Sequence, residues 1–257
     1  MTETSVYSNE LTMSAGTNYT KHIKEFMTLH GLHKIIGFSG GSDDRLPGIS
    51  PEDELHQQFK VFRSSFDRRI VRDALSVLRG HRVAILTGGT KWGVPETACT
   101  MAKEMGFRTI GVFPKAGRKY AMDDSLLDLA ICVDPLMGES RWGDECPVWV
   151  SLCDGIIVIG GGAGTLTECA HIQKINEALV KYNRMPKYIV PIHGTGGVAE
   201  QLSQIWAKPE IKAVSMPADR VHNGADAANI LIDCLHLYDY YDHHYHLDHD
   251  HYQDINM

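Results

Sequence analysis

The chain has 257 residues, of which 43% are hydrophobic and 22% are charged. This balance is typical of an ordinary globular domain and excludes a disordered or fibrous protein. A chain of this length buries enough apolar surface to hold one large core without disulfide or metal support. The formal net charge of −7 argues against general nucleic-acid binding, because that binding needs Lys and Arg side chains to neutralise phosphates.

The chain carries no pattern typical of a membrane or secreted protein. Apolar runs such as 156–159 are far shorter than the roughly 20 residues that a bilayer-spanning helix needs. The first thirty residues are polar and contain no hydrophobic signal region. Six cysteines lie scattered without a C-x-x-C pair, which favours reduced thiols over a disulfide framework. We therefore expect a cytoplasmic protein with no membrane partner and no nucleic-acid partner.

Residues 1–31 are predicted to form an N-terminal arm. Over about the first 18 residues, Ser, Thr, Glu and Asn are mixed without a period, and we expect this stretch to be loose. The stretch from Tyr19 to Leu32 is compatible with one amphipathic helix that places Ile23, Phe26 and Met27 on the same face.

Residues 32–236 are predicted to form one domain of the α/β class. Short apolar runs alternate here with longer stretches of helical period, and a nearly continuous apolar run is typical of a strand buried on both faces. The predicted strands are Lys34–Phe38, Arg82–Leu86, Arg108–Phe113, Leu129–Val133, Gly155–Ile159 and Lys187–Pro191. The predicted helices include Phe66–Leu78, Pro95–Met105, Thr165–Leu179 and Val198–Trp206. This alternation predicts a Rossmann-like, doubly wound parallel sheet with helices on both faces.

Residues 237–257 form a tail rich in His, Tyr and Asp. His and Asp at this density suit a zinc or nickel ion, but the same composition is typical of a solvated low-complexity tail. We favour the second interpretation, because no neighbouring glycine or strand signal fixes a ligand geometry. No metal and no organic cofactor is therefore expected.

Three glycine-rich turns follow predicted strands, at the edge where doubly wound sheets bind ligands. Backbone amides and helix dipoles at that edge attract anions, and glycine lets the backbone approach a phosphate closely. The predicted binding residues are Gly40, Gly41 and Ser42 in the first turn, Gly88, Gly89 and Thr90 in the second, and Gly161, Gly162, Gly164 and Thr165 in the third. We expect the three turns to form one site.

Glu168 follows the third turn and has two interpretations. With Thr165 it has the spacing of a capping box, in which both side chains cap the start of a helix. Alternatively, the carboxylate faces the ligand. Local sequence alone does not separate the two.

The third turn and its flanks also carry a family resemblance. The stretch Asp154–Glu168 resembles the P-G-G-x-G-T-x-x-E signature of the LOG-type nucleotide phosphoribohydrolases and of the broader SLOG superfamily, with Gly160 in place of the proline. The first turn is similar to the family's C-G-S turn, and the second, 86–94, is similar to its G-G-G-x-x-G-L-M turn. The resemblance extends from about Lys34 to Trp206.

The resemblance implies a nucleoside 5′-monophosphate phosphoribohydrolase, which releases a free base and ribose 5-phosphate. It implies that Gly161, Gly162, Gly164 and Thr165 bind the phosphate and that Glu168 is the catalytic carboxylate. Cleavage of the C1′–N bond builds oxocarbenium character that a nearby anion stabilises, while an oriented water attacks. The resemblance also implies a homodimer.

The family's catalytic arginine, in an M-x-x-R-K arrangement, has an imperfect counterpart here. Arg141 lies one residue too far from Met137, and counting back from Asp154 at the family's interval reaches Glu145, an acid. Either Arg141 reaches the site through a longer loop, or the catalytic cation is missing. We favour the first and carry Arg141 as a catalytic candidate.

Four further residues are candidates for ligand contacts. Lys91, Lys115 and Arg118 follow strand ends and suit a second phosphate, although a solvated basic loop is the simpler interpretation. Trp142 suits stacking on a nucleobase or ordinary helix packing. Because of the displaced arginine and the basic loop, a non-catalytic protein that senses or sequesters an NAD-derived or cyclic nucleotide remains an alternative, and a base-exchanging transferase is a third.

Overall fold

The computed structural model describes residues 10–13, 19–41, 50, 52–204, 208–218 and 220–238. Its described strands are β1 (Glu10–Met13), β2 (Lys34–Gly40), β3 (Val83–Thr87), β4 (Arg108–Pro114), β5 (Leu129–Val133), β6 (Gly155–Ile159) and β7 (Tyr188–Ile192). Its described α-helices are α1 (Tyr19–Leu29), α2 (Glu54–Leu78), α3 (Gly93–Glu104), α4 (Cys146–Leu152), α5 (Ala163–Lys181), α6 (Gly197–Gln201), α7 (Pro209–Ser215) and α8 (Gly224–Leu235). Two 3₁₀ helices span Lys115–Tyr120 and Leu202–Gln204.

In the described part of the chain, the strands form one sheet in the order β1-β5-β4-β3-β2-β6-β7, and every neighbouring pair is parallel. The chain builds outward from β2 through β3, β4 and β5 on one side and later adds β6 and β7 on the other. The strand order therefore reverses at β2, which makes the edge beyond the carboxyl ends of β2, β3 and β6 the topological switch point. The predicted doubly wound α/β fold is confirmed.

The core consists of two layers, one on each face of the sheet. Alternate strand residues point to opposite faces, so that Ile36 packs with α2, α3 and α8 while its neighbour Ile35 packs with α1, α4, α5 and α6. The central strands are buried along their whole length, as their continuous apolar sequence predicts. None of the described helices is long and apolar enough to cross a bilayer.

Several elements differ from the sequence prediction. The strand β1 lies within the stretch expected to be loose, and it pairs with β5 at the sheet edge. Helix α2 begins at Glu54, well before the predicted Phe66, because the Asp53 side chain caps it by accepting the Leu55 amide at 2.8 Å. Helices α4, α7 and α8 were not predicted. The described chain ends at Tyr238, so most of the His-rich tail lies outside the described residues.

Candidate functional site

A cleft of about 390 Å³ opens at the switch point. The end of β2 contributes Phe38, Ser39 and Gly40, and the second glycine turn with α3 contributes Gly88, Thr90 and Pro95. The segment leading into α4 contributes Trp142, Gly143, Glu145 and Cys146, and the start of α5 contributes Ala163, Gly164, Thr165, Thr167 and Glu168. Residues from all three predicted turns therefore line one cleft.

The turns reach each other because glycine leaves room between them. A Cβ atom on Gly40 would lie 2.6 Å from the carbonyl oxygen of Ile159 and 2.6 Å from Val94 Cγ2. The Gly41 amide donates to the Ile159 carbonyl at 3.3 Å, and the Val94 amide donates to the Gly41 carbonyl at 3.1 Å. The first turn is thus fastened both to the third turn and to the start of α3.

The third turn is fixed from the side of β7. Gly160 and Gly161 have φ values of +60° and +95°, a region that favours glycine. The Gly160 amide donates to the Thr195 hydroxyl at 2.8 Å. The Gly160 and Gly161 carbonyls accept the amides of residues 199 and 198, both at 3.0 Å, and so cap the start of α6. These amides at the start of α6 therefore already have protein acceptors.

The start of α5, unlike that of α6, has backbone amides that no protein group of the described residues accepts. Gly162 is its N-cap residue and offers no side chain, and the first helical hydrogen bond comes from the Leu166 amide to the Gly162 carbonyl at 3.0 Å. Within the described residues, no protein acceptor takes the amides of Ala163, Gly164 and Thr165, and all three residues line the cleft. Unpaired amides at the start of a 19-residue helix form an anion-binding position.

Glu168 is a cleft residue rather than a helix cap. The helix begins at Ala163, so Glu168 lies beyond its first turn, and its carboxylate accepts a hydrogen bond from the Ser39 hydroxyl at the end of β2. The capping-box interpretation is therefore wrong. Burial raises the pKa of the Glu168 carboxyl to about 7, against the opposing effect of the Ser39 hydrogen bond and with some help from the negative charge of Glu145.

A tight turn before α4 carries Glu145 into the cleft and leaves Arg141 outside. The Arg141 amide donates to the Asp144 carboxylate at 2.7 Å, and the Gly143 amide donates to the Glu145 carboxylate at 2.8 Å. Arg141 is exposed and does not line the cleft, whereas Glu145 is half-buried and does. Burial raises the pKa of the Glu145 carboxyl above its usual range. The geometry thus favours the arrangement in which the family's cation is missing.

Trp142 lines the cleft and belongs to a group of three aromatic side chains that contact one another. The Trp142 ring stacks on the Tyr120 ring, with centroids 6.3 Å apart and ring planes 20° apart. The Tyr120 ring in turn contacts the Trp92 ring, with centroids 4.8 Å apart. Trp142 also packs against Gly117, where a Cβ atom would lie 2.9 Å from the indole. Trp142 nevertheless stays 55% exposed, so it presents a large apolar surface at the opening.

The predicted residues divide into two groups. Those that line the cleft are Gly40, Gly88, Thr90, Trp142, Gly164, Thr165 and Glu168. Those that do not are Gly41, Gly89, Gly161, Gly162, Lys91, Lys115, Arg118 and Arg141, while Ser42 lies outside the described residues. Lys91 pairs with Asp123 at 3.1 Å and Lys115 with Asp134 at 3.3 Å. Lys91 and Lys115 therefore form ion pairs with nearby acidic residues rather than facing the cleft.

Two residues near the site, Ser39 and Arg63, were not predicted from the sequence. Ser39 directly precedes the predicted binding residues of the first turn, and its hydroxyl orients Glu168 by donating a hydrogen bond to the carboxylate. Arg63 reaches the third turn from α2, and its Nη2 would clash with a Cβ atom on Gly160. Arg63 is also paired with Asp67 at 3.1 Å.

No cluster of three or more His, Cys, Asp or Glu side chains in the described residues is arranged to hold a metal ion.

Solved structures with the same fold were found by comparison. The structural-genomics structure of TM1055 matches with a TM-score of 0.51 and 17% identity, covering 78% of this chain and 99% of that one. The molybdenum cofactor binding protein from the phototrophic bacterium Rippkaea orientalis matches with a TM-score of 0.52 and 20% identity, covering 79% and 97%. No curated protein matches in sequence. At these identities the likeness shows the fold alone.

Fold and site together define a Rossmann-like α/β protein with a cleft at its switch point. The model of the SLOG cluster4 family matches residues 69–206, more than half of the chain. The chain belongs to this family, which confirms the SLOG resemblance.

Proposed function

We propose that this protein is a nucleoside 5′-monophosphate phosphoribohydrolase, which cleaves the bond between base and ribose 5-phosphate. The observation that carries the proposal is the juxtaposition of the unpaired amides at the start of α5 with the Glu168 carboxylate in one cleft. This arrangement offers an anion-binding position and an acid–base group to the same ligand.

The 5′-phosphate binds at the start of α5. The amides of Ala163, Gly164 and Thr165 lack protein acceptors among the described residues, and the helix dipole favours a negative charge there. Glycine at position 164 leaves open space, since a Cβ atom there would meet nothing within 4 Å. A phosphate held by these amides would bring its attached ribose close to residues one turn further along the same helix.

Glu168 acts on the ribose. Its pKa of about 7 keeps both protonation states accessible near neutral pH, as a group that orients and deprotonates water requires. The ionised form stabilises the oxocarbenium character that develops at C1′, by analogy with the carboxylates of glycoside hydrolases. The Ser39 hydroxyl orients the carboxylate by donating to it.

The experiment is a base-release assay with purified protein and a panel of nucleoside 5′-monophosphates, followed by chromatography. We expect release of free base and ribose 5-phosphate from at least one nucleotide, and a loss of at least about 100-fold in rate for Glu168→Gln. Glu139→Gln, at an exposed position outside the cleft, is the matched control and should retain the rate. No release from any nucleotide would reject the hydrolase.

A non-catalytic binding protein is the second candidate. It is favoured by the absence of any Lys or Arg among the described residues that line the cleft, since leaving-group assistance by arginine is then lacking. The molybdenum cofactor binding protein from Rippkaea orientalis, which has the same fold, is a precedent for a binding protein. This candidate predicts that a nucleotide or related ligand raises the melting temperature without being turned over.

The proposal extends to assembly and location. A homodimer agrees with the family resemblance and with the exposed apolar side chains of Leu136 and Met137, which are 83% and 84% exposed. Light scattering of the purified protein tests the dimer. A cytoplasmic location agrees with the buried free cysteines Cys99, Cys132, Cys146, Cys153 and Cys169. Imaging of the tagged full chain tests the location.

A further inference from the structure

The charge of the cleft sets a condition on the ligand. Two carboxylates, Glu145 and Glu168, line the cleft, and no Lys or Arg does so among the described residues. The unpaired amides at the start of α5 can bind an anionic group of the ligand. The other end of the ligand meets Glu145 and Trp142, so it must supply hydrogen-bond donors and a flat apolar face to match them.

Glu145 is held in a fixed position. It occupies the N-cap position of α4, yet its side chain makes no cap hydrogen bond to that helix. Its carboxylate instead accepts the Gly143 amide at 2.8 Å. Gly143 has φ +106°, a conformation that a residue with a side chain rarely adopts, and its carbonyl accepts the Cys146 amide at 3.1 Å. The carboxylate also accepts its own backbone amide. Two amides still leave accepting positions on the carboxylate for a ligand, because two carboxylate oxygens offer about four.

Trp142 directly precedes Gly143, and one side of its ring is held in place by neighbouring residues. Tyr120 stacks against it and Gly117 packs against its edge, while 55% of its surface stays exposed. A rigid indole with an uncovered surface is a platform for a planar base. Glu145 and Trp142 lie three positions apart and line the same cleft, so one planar base bound there can contact both side chains.

We propose that Glu145 and Trp142 form a base subsite that selects a 2-amino-6-oxopurine, the base of guanosine 5′-monophosphate. Guanine carries an N1–H and a 2-amino group side by side, and a carboxylate accepts two such parallel donors. Hypoxanthine lacks the amino group, and adenine presents an acceptor at N1. This inference rests on the proposed nucleotide-binding function and names its substrate class.

The test compares guanosine, inosine and adenosine 5′-monophosphates by titration calorimetry, with ribose 5-phosphate as a probe of the phosphate position alone. All titrations use the full chain carrying Glu168→Gln, so that turnover does not consume the nucleotide. We expect guanosine 5′-monophosphate to bind at least about tenfold more tightly than inosine 5′-monophosphate, because the lost hydrogen bond involves a charged group.

Adding Glu145→Gln is expected to bring this ratio close to one while leaving ribose 5-phosphate binding unchanged. A glutamine still accepts the Gly143 amide through its carbonyl oxygen, so the turn is retained. Adding Trp142→Ala is expected to weaken all three nucleotides together and to retain the ratio. Adding Glu139→Gln, exposed and outside the cleft, is expected to change neither.

Equal binding of the guanosine and inosine nucleotides, or a ratio that survives Glu145→Gln, would overturn the subsite. Failure of every nucleotide and of ribose 5-phosphate to bind would reject the nucleotide function and the subsite together. Selective binding of the guanosine nucleotide without base release by the unmodified protein would reject the hydrolase and leave the subsite standing.

Discussion

Glu168→Gln should stabilise the fold at alkaline pH. Burial raises the pKa of the Glu168 carboxyl from its ordinary value of 4.5 to about 7, which means that the folded protein holds this proton more tightly than the unfolded chain does. At about 1.36 kcal/mol for each pH unit between the two values, the ionised side chain costs about 3 kcal/mol of folding free energy above pH 7. A neutral glutamine avoids this cost and still accepts the Ser39 hydrogen bond.

The raised pKa of Glu168 fixes the direction in which the stability difference changes with pH. A raised pKa gives a contribution to stability that is present below about pH 4.5 and is lost as the pH rises through about 7. Urea unfolding of the unmodified and Glu168→Gln proteins should therefore give similar free energies at pH 4.5 and a variant that is more stable by about 3 kcal/mol at pH 8. A variant that is less stable at pH 8, or a difference that does not change with pH, would refute a buried carboxylate at this position.

Two further substitutions test how the turns are held together. Gly40→Ala should lower the unfolding free energy by about 1–3 kcal/mol, because the new methyl group would lie 2.6 Å from the Ile159 carbonyl oxygen. Gly164→Ala, inside α5 and with nothing within 4 Å of the new methyl group, is the matched control, and equal denaturation midpoints for the two variants would contradict the close approach. Thr195→Val should cost about 1–3 kcal/mol, because it leaves the buried Gly160 amide without its acceptor. Thr195→Ser should restore a normal melting temperature, and a Val variant as stable as the Ser variant would show that this bond is not needed.

The sheet was the most predictable part of the molecule. A strand buried on both faces needs a nearly continuous apolar run, and such runs are rare elsewhere in this chain. The runs ending at Ile159 and Val133 match β6 and β5 to the residue. The strand β1, with sequence Glu-Leu-Thr-Met, carries no such signal, and it forms at the sheet edge through backbone pairing with β5.

The candidate site was predictable only in part, because its contacts join distant segments. The glycine turns are local signals and identified the correct edge of the sheet. Ser39 and Glu168 lie 129 positions apart, so their hydrogen bond is visible only in the fold. Counting back from Asp154 reached Glu145, but the sequence did not decide between Glu145 and Arg141. The choice depends on a turn in which the Arg141 and Gly143 amides donate to the carboxylates of Asp144 and Glu145, and these contacts are visible only in the fold.

A crystal structure of the Glu168→Gln protein with a nucleoside 5′-monophosphate is the most direct measurement of the central claim. We expect the phosphate oxygens about 3 Å from the amides of Ala163, Gly164 and Thr165, with C1′ of the ribose facing the side chain at position 168. A phosphate bound away from the start of α5, or a residue 168 turned away from the sugar, would contradict the account.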